Sequence, residues 1–401
     1  MGELSSSERQ TVERAGAEPM LDQVLAWSAV NSGSRNLGGL ERMAELLADA
    51  FSALPGVLRL ENPAPVESVD SAGKAIAIRH GRHLHLSVRP TAPVQLLFTG
   101  HMDTVFGADH AFQETRWLED GVLNGPGVAD MKGGLAVMLA ALKSIEKSRV
   151  AERIGYEVVV NSDEEVGSPA SAPLLARAAA GKRAALTYEP AALPDGTLAG
   201  ARPGSGNFSI VIHGRSAHAG RNPEDGRNAL LAAADLALRL DRLKRDGLTV
   251  NPSRIDGGGP TNVVPDLASL RVNLRPRTPQ LEAEAKREIE TLVAAVAAER
   301  DVRIDLHGGF GRPPKPLTSD AEALFNLVKQ AGADLGQSIA WQPSGGVCDG
   351  NNIAACGVPV VDTMGVRGGK IHSMEEFLIV DSLAERAALS ALTILRLAEG
   401  A

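Results

Sequence analysis

Apolar positions along the chain follow two rhythms that take turns. Between residues 38 and 54, Leu40, Met43, Leu46, Leu47 and Phe51 recur every three or four places, which puts them on one face of an amphipathic helix. Val94 to Phe98 is a continuous apolar run, read as a buried strand. Leu135, Met138, Leu139, Leu142 and Ile145 return to helical spacing, and Tyr156 to Val160 is the next strand. The alternation continues to about residue 200 and predicts an α/β architecture with helices flanking a sheet.

The breaker cluster Ala201-Arg202-Pro203-Gly204-Ser205-Gly206 ends that rhythm. Strand, helix, strand, strand, helix and strand follow, near residues 208–212, 227–243, 249–255, 268–274, 278 onward and 302–306. Thr278-Pro279 is a helix start, with a threonine cap and proline in the first turn. This β-α-β-β-α-β order is the split, ferredoxin-like arrangement. Gly311 to Pro316 marks its exit, and helices over 320–330 and 381–397 return to the first unit. The expected organisation is residues 1–204 and 315–401 forming one domain, with 205–314 inserted as a second. The two crossings fall at breaker clusters and are candidate hinges for a closing lid.

A length of 401 residues suits two domains, and 44% apolar with 22% charged residues is ordinary for a globular chain. A net charge of −8 without a basic stripe argues against nucleic acid, as does an aromatic content of only 3%. Cys348 and Cys356 give no disulfide framework. No apolar run reaches the roughly 18 residues a membrane span needs, and the first residues lack the apolar core of a signal peptide. A cytoplasmic protein without membrane partners is the expectation.

The chemistry gathers at strand ends. Gly100-His101-Met102-Asp103-Thr104 follows the run ending at Phe98, and extended backbone turns His101 and Asp103 to one side. A carboxylate beside an imidazole fixes the tautomer that binds a metal. Asp130 precedes a helix start, where a plain helix cap is its ordinary use. Asp163, Glu164 and Glu165 are three consecutive acids at a strand end, a repulsive set unless a cation neutralises it. Glu189 follows another short strand, and His372 follows a glycine-rich loop. Ligands collect at the carboxyl ends of such strands. Nitrogen and oxygen donors without thiolate suit zinc, cobalt or manganese.

The stretches GHMDTV, NGPGVADMKGG, NSDEEVGS, TYEP, GRSAHAG, TNVVP and GGKIHSMEEF span residues 100–376. In that order they resemble the two-zinc amidohydrolase family of glutamate carboxypeptidase, acetylornithine deacetylase, succinyl-diaminopimelate desuccinylase and the aminoacylases. GRSAHAG, TNVVP and GRPP are closest to the glutamate carboxypeptidase branch. The resemblance implies a zinc-exopeptidase-like catalytic domain with a lid and dimerisation domain, forming a homodimer through the lid. It implies two divalent ions: His101 and Glu189 on one, Glu165 and His372 on the other, and Asp130 bridging them. It further implies Glu164 as general base toward water, Asp103 orienting His101, and a cis peptide at Asp130–Met131. His218 would polarise the scissile carbonyl, Asn262 would be a further substrate contact, and Arg312 would grip the substrate's α-carboxylate. The reaction implied is hydrolysis of an N-acylated amino acid or short peptide to release a free amino acid. The alternative is deacylation of a small N-acylated amine.

Two positions depart from the family. Asn273 stands where many relatives carry an arginine, with Arg275 two residues on along the same strand face. Cys348 stands where relatives carry serine or threonine, and a cysteine hydrolase reading would make it the nucleophile.

Overall fold

The structure is a computed structural model that describes residues 4–400. Its larger sheet has six strands in the spatial order Val57–Glu61, His83–Val88, Ile154–Asn161, Val94–His101, Ala184–Thr187 and Val360–Val361. The last four run parallel, and the first two are antiparallel additions at one edge. Val94–His101 is buried along nearly its whole length, which explains its unbroken apolar run. Helices Gly133–Glu146 and Asp381–Glu399 pack against each other and bury leucine and alanine on nearly every side. Helices Ser6–Gly16 and Met20–Ser28, which the apolar spacing did not announce, join this layer. The first is mostly polar, so periodicity gave little signal there.

A second sheet, all antiparallel, has the order Leu248–Gly257, Leu267–Pro276, Ser205–His213 and Arg303–Arg312. Helices Ala229–Asp241 and Pro279–Arg300 cover one of its faces. Thr278 caps the second helix by accepting the Leu281 N–H. The buried apolar side chains of this unit come from residues 208–296, whereas those of the larger core come from residues 12–198 and 324–398. The two crossings pair with each other, since Arg202 N–H donates to Lys315 O at 2.9 Å and Lys315 N–H returns to Arg202 O at 3.0 Å. The final strand runs to Arg312, six residues beyond the apolar stretch that announced it, because Gly308, Gly309 and Gly311 carry no hydrophobic pattern.

A hairpin of Val66–Val69 and Ala75–Ile78 leaves the first unit and lies on the uncovered face of this sheet. Arg271 donates to Val69 O at 2.9 Å, and the turn at Gly73 closes over Val211, which is fully buried.

His85 bridges three strands of the larger sheet. Its Nδ1 is 2.7 Å from Glu61 Oε1 and its Nε2 is 2.8 Å from Glu157 Oε2. The hydrogen bond to Glu157 raises the imidazole pKa, burial opposes it, and the bond to Glu61 raises it further. Folding therefore favours the imidazolium. That stabilisation is complete below the unfolded histidine pKa of about 6.5 and is lost as pH rises through the higher folded value. Thermal melts from pH 6 to 9 should show wild type losing on the order of 1 kcal/mol more than His85→Gln. Parallel pH slopes for the two proteins would show that folding does not shift the His85 imidazole.

Candidate metal centre

The four parallel strands end on one side of the sheet, and the segments leaving them carry His101, Glu164 with Glu165, Glu189, and Asp362 with Thr363. His101 Nδ1 lies 2.9 Å from the main-chain oxygen of Asp103. A carbonyl only accepts, so Nδ1 carries a proton, and Nε2 is the nitrogen that faces the carboxylates and would offer its lone pair to a cation. Nε2 is 3.1 Å from Asp130 Oδ1 and 3.7 Å from Glu189 Oε2. On the other side, His372 Nε2 is 3.3 Å from Asp130 Oδ2 and 3.1 Å from Glu165 Oε2. The donors thus fall into two sets that share only Asp130, one oxygen to each. Donor atoms of His101, Asp130 and Glu165 lie within 4.8 Å of one another, as do those of His101, Glu164 and Glu189.

The local backbone explains this convergence. Asp130 sits at the mouth of the helix Gly133–Glu146, on a loop entered through Gly127 at φ 73, and the Asp130–Met131 peptide is cis. Glu164 to Val166 form a short helical turn rather than extended chain, closed by Gly167 at φ 94. Asp103 shapes that turn, its carboxylate accepting the N–H groups of Glu164 at 3.1 Å and Glu165 at 3.2 Å. Ser34 donates to the same carboxylate at 2.7 Å. The carboxylate stands 3.4 Å from His101 Nδ1, farther than the residue's own carbonyl.

Four acids crowded in a buried site shift one another. Burial pushes Glu165 up to about 8, and the Asp130 charge adds to this. Burial also carries Glu164 up to about 7 against the pull of Arg312, and raises Glu189. Asp130 moves the other way: burial opposes ionisation, but hydrogen bonds from His101 and His372 hold it well below the usual carboxylate range. Bonds to Asp130 and Glu165 lift His372 to about 11. Such a set is short of positive charge, and hard divalent cations would supply it.

Arg312 is buried at 3% exposure, and its donors are taken up within the chain. It reaches Glu164 Oε1 at 2.7 Å, Glu164 O at 2.9 Å, Ser168 Oγ at 3.1 Å and Asp349 Oδ1 at 3.3 Å. A grip on a substrate carboxylate would require those bonds to open. His218 and Asn262 lie on two exposed loops of the inserted unit that pair with each other, and they line neither cavity beside the carboxylates.

Those cavities flank the donor cluster and share Glu164, Glu165, Gly346, Val347 and His372. One, about 650 Å³, has a largely apolar wall of Pro190, Ala191, Ala192, Ile371 and Phe377, with Arg202 in its lining. Arg202 makes a two-pronged bond to Asp362 at 2.8 and 3.0 Å, and Lys315 reaches the same carboxylate at 2.8 Å. The other, about 640 Å³, is polar and lined by Asn207, Asn251, Asn273 and Arg275. Arg275 donates to Asn273 Oδ1 and Gly345 O but has no acidic partner among the described residues. Asn273 turns back onto Ser205 and Asn207, so the cationic contact of this strand stands two residues later than expected. Cys348 lines the apolar cavity with its S–H 3.4 Å from Asp362. Burial pushes its thiol well up, the opposite of an activated nucleophile.

Sequence reasoning passed over Glu376 and Lys132. Glu376 is buried behind Asp130, and burial lifts it to about 7. Lys132 is also buried, donates to Val30 O at 3.1 Å and is lowered by burial to about 8. An acid four residues after His372 was the available signal.

A family model described as Peptidase family M20/M25/M40 matches residues 97–396. Carboxypeptidase G2 of Pseudomonas sp. (strain RS-16) is 31% identical over 314 residues, covering 76% of this chain and 74% of that protein. A succinyl-diaminopimelate desuccinylase of Maricaulis maris is 30% identical over 326 residues, covering 75% and 80%. Among solved structures, aminopeptidase PepT from Bacillus cereus superposes with a TM-score of 0.71 at 23% identity, covering 96% of this chain and 99% of that one. The YXEP protein of Bacillus subtilis, described as a dinuclear metal binding peptidase, gives 0.63 at 14% identity, with 96% and 99% covered.

Proposed function

Because the chain belongs to peptidase family M20/M25/M40 and is a hydrolytic enzyme, we propose that it cleaves the amide bond of an N-acylated amino acid or short peptide and releases a free amino acid. The observation that carries this reading is the pair of cavities meeting at Glu164, one apolar and one holding a guanidinium without an acidic partner. The apolar cavity takes the acyl group. The polar cavity takes the amino acid, whose α-carboxylate pairs with Arg275, a task suited to the planar guanidinium.

The donor set fits two divalent cations, one held by His101, Asp130 and Glu189 and the other by His372, Asp130 and Glu165. Zinc is favoured, with cobalt and manganese compatible. When bound, such ions acidify water and polarise the scissile carbonyl. Glu164 accepts the proton of the attacking water and returns it to the leaving nitrogen, and a carboxyl raised toward neutrality is suited to both transfers. Asp103 keeps Glu164 and Glu165 at their separate tasks by holding their N–H groups. Exposed His218 and Asn262 would act on the site of a second copy in a homodimer joined through the inserted unit.

A second reading has its own support. Arg202 and Lys315 place two cations on the single carboxylate of Asp362, leaving surplus positive charge behind the apolar cavity. That would suit an acyl group ending in a carboxylate, as a desuccinylase needs. The test is a panel of N-acyl amino acids with aromatic, aliphatic and succinyl acyl groups, each as free α-carboxylate and as carboxamide, with zinc, cobalt and manganese. Release of free amino acid is expected, with succinyl preference selecting the second reading. Arg275→Ala should raise KM about 10–100-fold for α-carboxylates, the equivalent of one charged hydrogen bond, and leave carboxamides unchanged. Equal losses on both forms would remove Arg275 from substrate recognition.

A further inference from the structure

Asp130 is the one donor common to both sets, so its placement governs both. Its carboxylate is aimed by a loop three of whose N–H groups turn onto one buried side chain. Glu376 Oε1 accepts from Ala129 at 3.0 Å and from Asp130 at 3.0 Å, and Oε2 accepts from Gly127 at 3.3 Å. The main chain of Glu376 is tied in the same way. Its carbonyl accepts from Asn124 Nδ2 at 2.6 Å and from Gly125 N–H at 3.4 Å, while its N–H donates to Ser373 O at 3.1 Å. Asn124 also reaches Met374 O at 3.1 Å, and Phe377 pairs with Asn124 as the next strand begins.

The segment that presents His372 is therefore sewn to the segment that presents Asp130, although they lie some 240 residues apart in sequence. Glu376 is 1% exposed and touches no cavity beside the carboxylates. A buried carboxylate that accepts three main-chain N–H groups is an unusually directional anchor, since charge-assisted bonds are the strong ones.

We propose that Glu376 is a positioning residue that locks Asp130 and His372 into one rigid frame, so that both cation positions depend on it. This rests on the two-cation reading above. It extends that reading from the donors themselves to the group that aims them, and groups of this kind typically carry 10–100-fold in metal affinity.

The experiment compares wild type, Glu376→Gln and Glu376→Asp as metal-free proteins titrated with cobalt. Visible absorption reports coordination at each position, and competition with a chelator reports affinity. Glu376→Gln turns one acceptor into a donor that faces a main-chain N–H. Glu376→Asp keeps the charge but draws it back by one methylene, and it serves if the glutamine variant does not fold. Cobalt binding weakened about 10–100-fold at both positions, with altered absorption and a metal-free melting temperature near wild type, is expected. Affinities within about threefold of wild type, weakening at one position only, or weakening only in protein whose metal-free form already melts lower would overturn the proposal. Wild type taking up fewer than two equivalents of cobalt would instead sink the two-cation reading before any variant is compared.

Discussion

Glu164→Gln should fold, take up the same two equivalents of divalent cation as wild type, and turn over roughly a thousandfold more slowly. General acid–base groups are worth about 10²–10⁴ in rate, and Glu164 would act twice, on the attacking water and on the leaving nitrogen. The amide keeps the size and the hydrogen bond to Arg312 but cannot take a proton. Glu164 is close to His101 and Glu189 without contacting His372, so its loss should leave the two donor sets intact. The decisive measurement is kcat beside metal content on the same preparation. A variant holding two equivalents and more than a tenth of wild-type turnover would place the base elsewhere, and one that has lost metal would make Glu164 a ligand.

Arg312→Met should cost about 3–5 kcal/mol of stability, the usual penalty for removing one partner of a buried charge pair. Arg312 faces two buried carboxylates, Glu164 and Asp349, and Asp349 already stands at about 6 through burial despite the guanidinium. Without it, both acids would have to take up protons on folding. Stability should then fall more steeply with rising pH than in wild type, because the folded chain would bind protons that the unfolded chain releases. Chemical unfolding at pH 5.5 and pH 8 checks both the size and the slope. The double variant with Glu164→Gln should recover part of the loss, since the amide needs no counter-charge. No recovery would show that the loss does not arise from Glu164, and a loss under 1 kcal/mol would show that Arg312 is dispensable to the fold. Its place would then have to be explained by substrate alone.

The pattern of the sequence carried the α/β sheet and the second, antiparallel sheet with its helices because both rhythms are strong where they matter. Val94 to Phe98 must be apolar to sit inside a parallel sheet, and Arg227 to Leu243 must be leucine-rich to cover the second one. It carried the convergence of His101, Asp130, Glu165, Glu189 and His372 because each sits beside a strand end or a glycine-rich turn. What it did not carry were contacts made by groups that look unremarkable in one dimension. Arg312 was expected to grip a substrate carboxylate, and nothing in one dimension showed that the last strand would run six residues further and bring it onto Glu164. Arg275 gained meaning only when Asn273 proved to turn inward. Glu376 has no strand end to mark it, since its partners are main-chain N–H groups that no side-chain pattern records. The helix at Ser6–Gly16 was missed for a related reason: it gives only Val12 and Ala15 to the apolar core, and contacts such as Glu8 with Arg396 are polar.

The hairpin of residues 66–78 complicates any attempt to dissect this molecule. A recombinant fragment trimmed to residues 205–312 would follow the continuous stretch of sequence, but it would uncover Val211 and cost Arg271 its bond to Val69 O. A soluble stand-alone version should need that hairpin grafted back, or polar replacements on the stripped face. In this sense the insertion borrows a piece of the host that received it, and the two halves are less interchangeable than their separate hydrophobic interiors suggest.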